Sequence, residues 1–187
     1  MRIIGGKYKG RRIVPSGDFK ARPTTDFARE GLFNILSNRI DFETIDALDL
    51  FSGTGSISYE FASRGASSVH LVDKDPRHIA GIKRIIKELN IENIRPIHID
   101  AIAYLKTCSV KYDLVFADPP YELSWLKELP DLVMKANVLK ENGFFILEHP
   151  RGLSFASHKF FFEHRNYGGV NFSFFKPGDD DQKAEKK

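Results

Sequence analysis

Four aspartates stand where apolar runs end or pause: Asp49 in "LDLF", Asp73 after "SVHLV", Asp100 after "IRPIHI" and Asp118 after "YDLVFA". The last opens the tetrapeptide Asp118-Pro119-Pro120-Tyr121. A proline-rich turn that merely stops a strand would need only the two prolines. The added carboxylate and aromatic ring suggest chemistry on a planar amine. Nitrogen attached to an aromatic ring is a poor nucleophile, because its lone pair is delocalised into the ring. A carboxylate oxygen and a main-chain carbonyl can each accept one N–H, drawing the nitrogen toward tetrahedral geometry and freeing the lone pair. Proline after Asp118 restricts the backbone and so preorganises both acceptors. Tyr121 can stack on the ring, a contact worth about 1–3 kcal/mol.

The other acids suggest what brings the reacting group. "LDLFSGTGS" places Gly53 and Gly55 just past a strand, where glycine lets the backbone approach a ligand and the following helix N-terminus favours polar groups. It is not the dinucleotide fingerprint: Ser58 occupies the third glycine position, and Phe51 stands where a first glycine is common. Asp73 ends the second strand, where an acid can bind both ribose hydroxyls. Asp100 ends the third and could accept from an adenine amino group, with Ala101 next to it. Asp49, Asp73 and Asp100 are expected to face one crevice. Three carboxylates without a phosphate-binding feature suit a nucleoside bearing a cationic centre, S-adenosylmethionine (SAM), better than a nicotinamide dinucleotide. Taken singly, each aspartate also reads as a strand-end cap.

The elements that must hold these residues alternate regularly. Strands are predicted at 46–51, 68–73, 94–99, 112–117 and 143–148. Helices are predicted at 55–64, from Pro76 with Ile79, Ile82, Ile85, Ile86 and Leu89 as the apolar stripe, at 101–107 and at 123–136. Alternation of this kind implies an α/β fold, a doubly wound parallel sheet with helices on both faces. Ahead of it, Thr25 caps a helix over 25–39 whose apolar face comprises Phe27, Leu32, Ile35 and Leu36. Residues 2–14 predict a small β-hairpin or irregular ribbon. "KFFFEHRNY" and "VNFSFFK" around Gly168-Gly169 predict a closing hairpin. Residues 1–177 are expected to form one domain, and the charged stretch 178–187 to be disordered.

Bulk properties exclude several classes. The 187 residues fit one domain, and 42% apolar content supports a core. No apolar run reaches membrane-spanning length, and the N-terminus lacks a signal-peptide core, so a cytoplasmic protein is expected. The single cysteine, Cys108, precludes an internal disulfide, and the six histidines show no metal-ligand spacing, so no metal is expected. Net charge is only +3, but residues 1–29 hold eight Lys or Arg against Asp18 and Asp26. Clustered positive charge suits a phosphate backbone, which makes Lys7, Tyr8, Lys9, Arg11 and Arg12 candidate nucleic-acid contacts, RNA if the resemblance below holds; the plain reading is a solvated basic arm.

With these residues in place, the chain resembles the class I SAM-dependent amino-methyltransferases through "DPPY" and "FSGTG". More narrowly, "MRIIGGKYKGRRI", "RPTTDFAREGLFNIL", "LDLFSGTGSISYEFASRGASSVHLVDKD", "DLVFADPPY" and "ILEH" resemble the bacterial 16S rRNA (guanine-N2)-methyltransferase family over about residues 1–176. Ser52, Thr54 and Phe27 depart from what is usual there, Phe27 replacing a basic residue. The resemblance implies a Rossmann-like sheet of seven strands with a partly antiparallel last hairpin. It implies SAM as cofactor and, as substrate, a guanine of the G966 type in 16S rRNA of the small subunit or its assembly intermediate. It also implies that "RPTTD" folds over the cofactor, Arg22 facing the methionine carboxylate with Thr24 and Thr25 alongside. A monomer is favoured. Three other readings compete. A DNA adenine-N6 methyltransferase uses the same tetrapeptide but needs a target-recognition segment for which the chain has little room. A non-catalytic RNA-binding assembly factor would not need the tetrapeptide, and an NAD-dependent oxidoreductase would want the third glycine.

Overall fold

The computed structural model describes residues 1–14 and 24–178. Twelve principal elements follow in order: α1 (Asp26–Ser37), β1 (Asp46–Leu50), α2 (Ser56–Ser63), β2 (Ser68–Asp73), α3 (Pro76–Leu89), β3 (Ile94–His98), α4 (Ala101–Thr107), β4 (Tyr112–Ala117), α5 (Leu129–Lys135), β5 (Leu139–His149), β6 (Phe161–Tyr167) and β7 (Val170–Phe175). They build one seven-stranded sheet in the order β3-β2-β1-β4-β5-β7-β6. β1 to β5 pair in parallel, and β7 enters antiparallel between β5 and β6. The expected doubly wound sheet and its terminal hairpin are both present.

Alternate side chains of each strand bury on opposite faces. Ala47, Val69, Leu71, Leu114 and Phe116 pack under α1, α2 and α3, with Leu32, Phe33, Phe61, Ile82 and Ile85 covering them. Leu48, Leu50, Val72, Val115 and Leu147 pack under α4 and α5, covered by Tyr104, Leu105, Leu129 and Val133. Phe33 is fully buried against the rings of Phe42 and Phe61; truncating such a ring to alanine typically costs about 3–5 kcal/mol. At the opposite end from the aspartate turns, Lys140 Nζ ties Asp46 (2.8 Å) to Asp113 (2.7 Å), so two like charges starting adjacent strands share one cation.

Several boundaries differ from expectation, each for a physical reason. Helix 123–136 is a 3-10 turn at Leu126–Glu128 followed by α5, because Pro130 can sit only in the first turn of a helix. β5 begins at Leu139 rather than 143. Its Gly143 lies where a Cβ would be 2.7 Å from the Tyr112 carbonyl oxygen, so the glycine belongs to a close strand contact beside a register shift, and not to a turn. In α1 the buried face is Ala28, Arg29, Leu32, Phe33 and Leu36. Phe27 is 66% exposed, with only its ring edge near Tyr167. The N-terminal hairpin forms without regular strands: one isolated bridge, Arg2 to Arg12, closes it. The charged stretch predicted to be disordered lies outside the described residues from 179 onward.

Candidate active site

The chain leaves β1 outward to β2 and β3, then returns to β4 on the other side of β1. The loops after β1 and β4 therefore open onto a topological switch point, the crevice where open α/β sheets bind ligands. Phe51 in the first loop and Trp125 beyond the second bring their ring centroids within 6.2 Å across it.

The loop after β1 is strained and tightly held. Gly53 (φ 52°) and Gly55 (φ 79°) adopt left-handed backbone, and so does Phe51 (φ 62°), which costs a bulky L-residue about 1–2 kcal/mol. A phenylalanine bears a conformation that glycine would adopt freely, and such strain concentrates at binding loops. At Gly55 an added Cβ would lie 3.0 Å from the Tyr59 ring. The Gly53 N–H donates to Asp73 Oδ2 (2.8 Å), the Ser52 N–H to the Val72 carbonyl (3.0 Å) and the Gly55 N–H to the Ser52 carbonyl (2.7 Å).

The four aspartates have different surroundings. Asp73 is buried and spends one lone pair of each oxygen on main-chain donors, Oδ2 on Gly53 and Oδ1 on Asp75 N–H (2.7 Å). Oδ2 keeps a lone pair open for a ribose hydroxyl, while Oδ1 is also approached by His78 Nδ1 at 3.1 Å. Asp100 is exposed and caps α4, its Oδ1 accepting from the N–H groups of Ile102 (2.9 Å) and Ala103 (3.1 Å); Ala101 is buried behind it. Asp49 departs from expectation. It lies within β1 rather than at its end, is 2% exposed, and accepts from Ser58 Oγ (2.6 Å). Its task is to tether α2 beneath the glycine loop instead of facing the crevice. Burial lifts its carboxyl to about 7 despite the Ser58 hydrogen bonds.

At the end of β4, Asp118 is half-buried at the crevice, Pro119 is buried and Pro120 is exposed. Tyr121 is 43% exposed, its ring open to solvent while its hydroxyl donates to Glu148 Oε1 (3.3 Å). Desolvation, then the charges of Glu148 and Asp49, hold the Asp118 carboxyl well above the usual range, with a Thr24 hydrogen bond opposing them. Thr24 is also buried and donates to Glu148 Oε2 (2.7 Å). Thr24 thus sits against the tetrapeptide. Thr25 accepts from Ala28 N–H (3.2 Å) as the N-cap of α1. Arg22 lies outside the described residues. Glu148 was not singled out in the sequence: "FFILEHP" reads as a buried strand, and an acid inside such a run is the one signal that could have exposed it.

The N-terminal ribbon docks on α2. Glu60 accepts from the N–H groups of Ile4 (2.6 Å) and Gly5 (3.3 Å), and Ser63 takes those of Lys7 (2.6 Å, carbonyl) and Tyr8 (2.9 Å, hydroxyl). Lys7, Lys9, Arg11 and Arg12 are exposed. Tyr8 is half-buried against the core, and its hydroxyl donates to the Asn90 carbonyl (3.2 Å). At the other end of the ribbon, Met1 Sδ accepts from Thr54 Oγ1 of the glycine loop (3.6 Å).

This donor set fits a sulfonium nucleoside. Carboxylates line the crevice, the loop offers main-chain N–H groups and a glycine cradle, and none of Asp49, Asp118 and Glu148 forms an ion pair among the described residues. Among those residues no group of three or more His, Cys, Asp or Glu could hold a metal, and no helix is long and apolar enough to cross a membrane.

Comparison with known proteins places this geometry among relatives. Residues 1–176 match the family model described as "Conserved hypothetical protein 95". "Ribosomal RNA small subunit methyltransferase D" of Buchnera aphidicola subsp. Baizongia pistaciae is 36% identical over 154 residues, 82% of this chain and 78% of that protein. The protein of the same name from Escherichia coli strain K12 is 33% identical over 145 residues, 76% and 68% of the two chains. Among solved structures, "Putative methyltransferase yhhF from Escherichia coli" superposes with a TM-score of 0.80 at 27% identity, covering 94% of this chain and 96% of that one.

Proposed function

This chain belongs to the conserved hypothetical protein 95 family, alongside the small-subunit methyltransferase D proteins of Buchnera and E. coli, and from that premise we propose that it methylates the exocyclic N2 amine of a guanine in 16S rRNA, using SAM. The observation that carries this reading is the juxtaposition of Asp118-Pro119-Pro120-Tyr121 at the end of β4 with the strained glycine loop after β1. SAM supplies an electrophilic methyl group on a cationic sulfur. Every other part of the work falls to the chain.

Asp73 takes a ribose hydroxyl on the open lone pair of Oδ2, and the second oxygen of Asp100 takes the adenine amine. Phe51, Gly53, Gly55 and Ala101 shape the nucleoside cradle, and Asp49 steadies it through Ser58. Arg22, Thr24 and Thr25 close over the methionine end. The target guanine stacks on Tyr121. Asp118 and the adjoining main-chain carbonyl then accept its two amine hydrogens, aligning the nitrogen lone pair with the methyl. With SAM bound, the methyl would pass to the nitrogen as the sulfonium leaves as a neutral thioether, and the nitrogen would release one proton to solvent; no covalent enzyme intermediate is needed. Stabilisation of this kind acts in the transition state. Residues 1–177 work as one unit, with the basic ribbon within residues 1–24 following rRNA phosphates through Lys7, Lys9, Arg11 and Arg12. The working form is a cytoplasmic monomer acting on the small subunit or its assembly intermediate, at a guanine of the G966 type.

The test is incubation with methyl-labelled SAM and undermodified small ribosomal subunits, followed by nucleoside analysis. Expected is N2-methylguanosine in 16S rRNA. Label in DNA adenine, or SAM binding with no transfer to either nucleic acid, contradicts the reading.

A further inference from the structure

Glu148 is an acid in an apolar strand, and the reaction as described gives it no task. It is 3% exposed in β5, between Leu147 and His149. A buried carboxylate is costly unless its charge is met. Among the described residues its hydrogen-bond donors are two neutral hydroxyls, from Thr24 (2.7 Å) and Tyr121 (3.3 Å). Asp118 follows Ala117, the register partner of Leu147, so it stands on the adjacent strand beside Glu148, and the charge of Glu148 acts on it. On the other side β7 presents Phe172 as the register partner, and His149 turns away to Ser173 Oγ (2.8 Å). Two carboxyls, one buried and one half-buried, therefore stand side by side on adjacent strands.

We infer that Glu148 is a positioning residue of the transfer site: it clamps Tyr121 at the strand end and, through its buried charge, fixes the pH at which Asp118 becomes able to accept an amine hydrogen. This rests on the methyl-transfer reading above. Protonated, Asp118 presents an O–H to the amine; ionised, it accepts. Like charges in one desolvated pocket cannot both ionise freely, so the two carboxyls hold one proton between them and titrate as a pair. Desolvation places Glu148 itself at about 7. The rate should thus climb with pH through the neutral range. Removing the Glu148 charge should let Asp118 ionise at lower pH.

The experiment is single-turnover methyl transfer from labelled SAM to undermodified small subunits, measured across about pH 5.5 to 8.5, for wild type, Glu148→Gln, Glu148→Asp and Tyr121→Phe. Wild-type transfer is the control: its absence removes the underlying reading, and the inference with it. With wild-type transfer present, Glu148→Gln should move the acid limb down by about one pH unit, with SAM affinity from calorimetry within about twofold of wild type. Glu148→Asp keeps the charge but shortens the clamp, and should lower the rate with the limb in place. Tyr121→Phe should do the same. A Glu148→Gln limb coincident with wild type reduces Glu148 to a structural residue and overturns the inference. Should that variant fail to fold, a limb displaced downward in Glu148→Asp overturns it equally.

Discussion

Asp73 illustrates how much one side chain can be asked to do. Its two oxygens hold the loop after β1 and the turn into α3, through Gly53 N–H and Asp75 N–H, and the same carboxylate is proposed to grip the ribose. Asp73→Ala should therefore weaken SAM binding by at least the roughly 1.5–3 kcal/mol expected for lost charge-assisted hydrogen bonds, since the strained loop loosens as well. Calorimetry returning an unchanged dissociation constant would take Asp73 out of the site. Side-chain placement was legible where it depends on local sequence: the glycines, Asp73, Asp100 and the tetrapeptide all lie in short runs next to strand ends. Glu148 was not, because its partner Thr24 is 124 residues away. The contact of the Tyr8 hydroxyl with Asn90, 82 residues on, was not legible for the same reason.

Among the elements, the N-terminal ribbon depends most on its support. Glu60 on α2 holds Ile4 and Gly5 from the ribbon, pairs with Arg64, and lies 3.4 Å from the Nε of Arg29, which is 1% exposed. Arg29 in turn donates to the Arg2 carbonyl (2.8 Å). Glu60→Ala leaves a buried guanidinium with only Asp26 as a counter-charge among the described residues, and breaking a buried pair from one side typically costs about 3–5 kcal/mol. Expected is a matching loss in urea unfolding, together with faster proteolysis within residues 1–14; a loss under about 1 kcal/mol would show the ribbon to be held by its apolar residues, Ile3 and Ile13. The central strands and helices were legible because strands covered on both faces are apolar runs and helices show their stripe. Boundaries failed where tertiary contact outweighs local preference. Asn142 and the residues before it back to Leu139 were left out of the predicted strand but lie in it, and Phe27 fits an apolar stripe that the sheet does not reach.

The whole molecule divides its labour across the switch point. β1, β2 and β3 supply the proposed cofactor contacts, β4 and β5 the proposed acceptor site, and the ribbon the proposed RNA grip. Each part should fail separately. Replacing Lys7, Lys9, Arg11 and Arg12 with alanine should reduce the salt slope of rRNA binding by about 3, at about 0.7–0.9 per lost phosphate contact, and leave SAM affinity unaltered. An unchanged slope would make the ribbon a solvated surface. The division is tested most directly at Asp118. Asp118→Asn preserves size while turning one acceptor into a donor facing the amine hydrogens. Measured side by side, single-turnover methyl transfer should fall about 10²–10³-fold while the SAM dissociation constant moves by less than about 1 kcal/mol, the pattern of a group that acts only in the transition state. Near-normal transfer by this variant, or loss of its SAM binding, would contradict a β4 carboxylate that works on the acceptor amine.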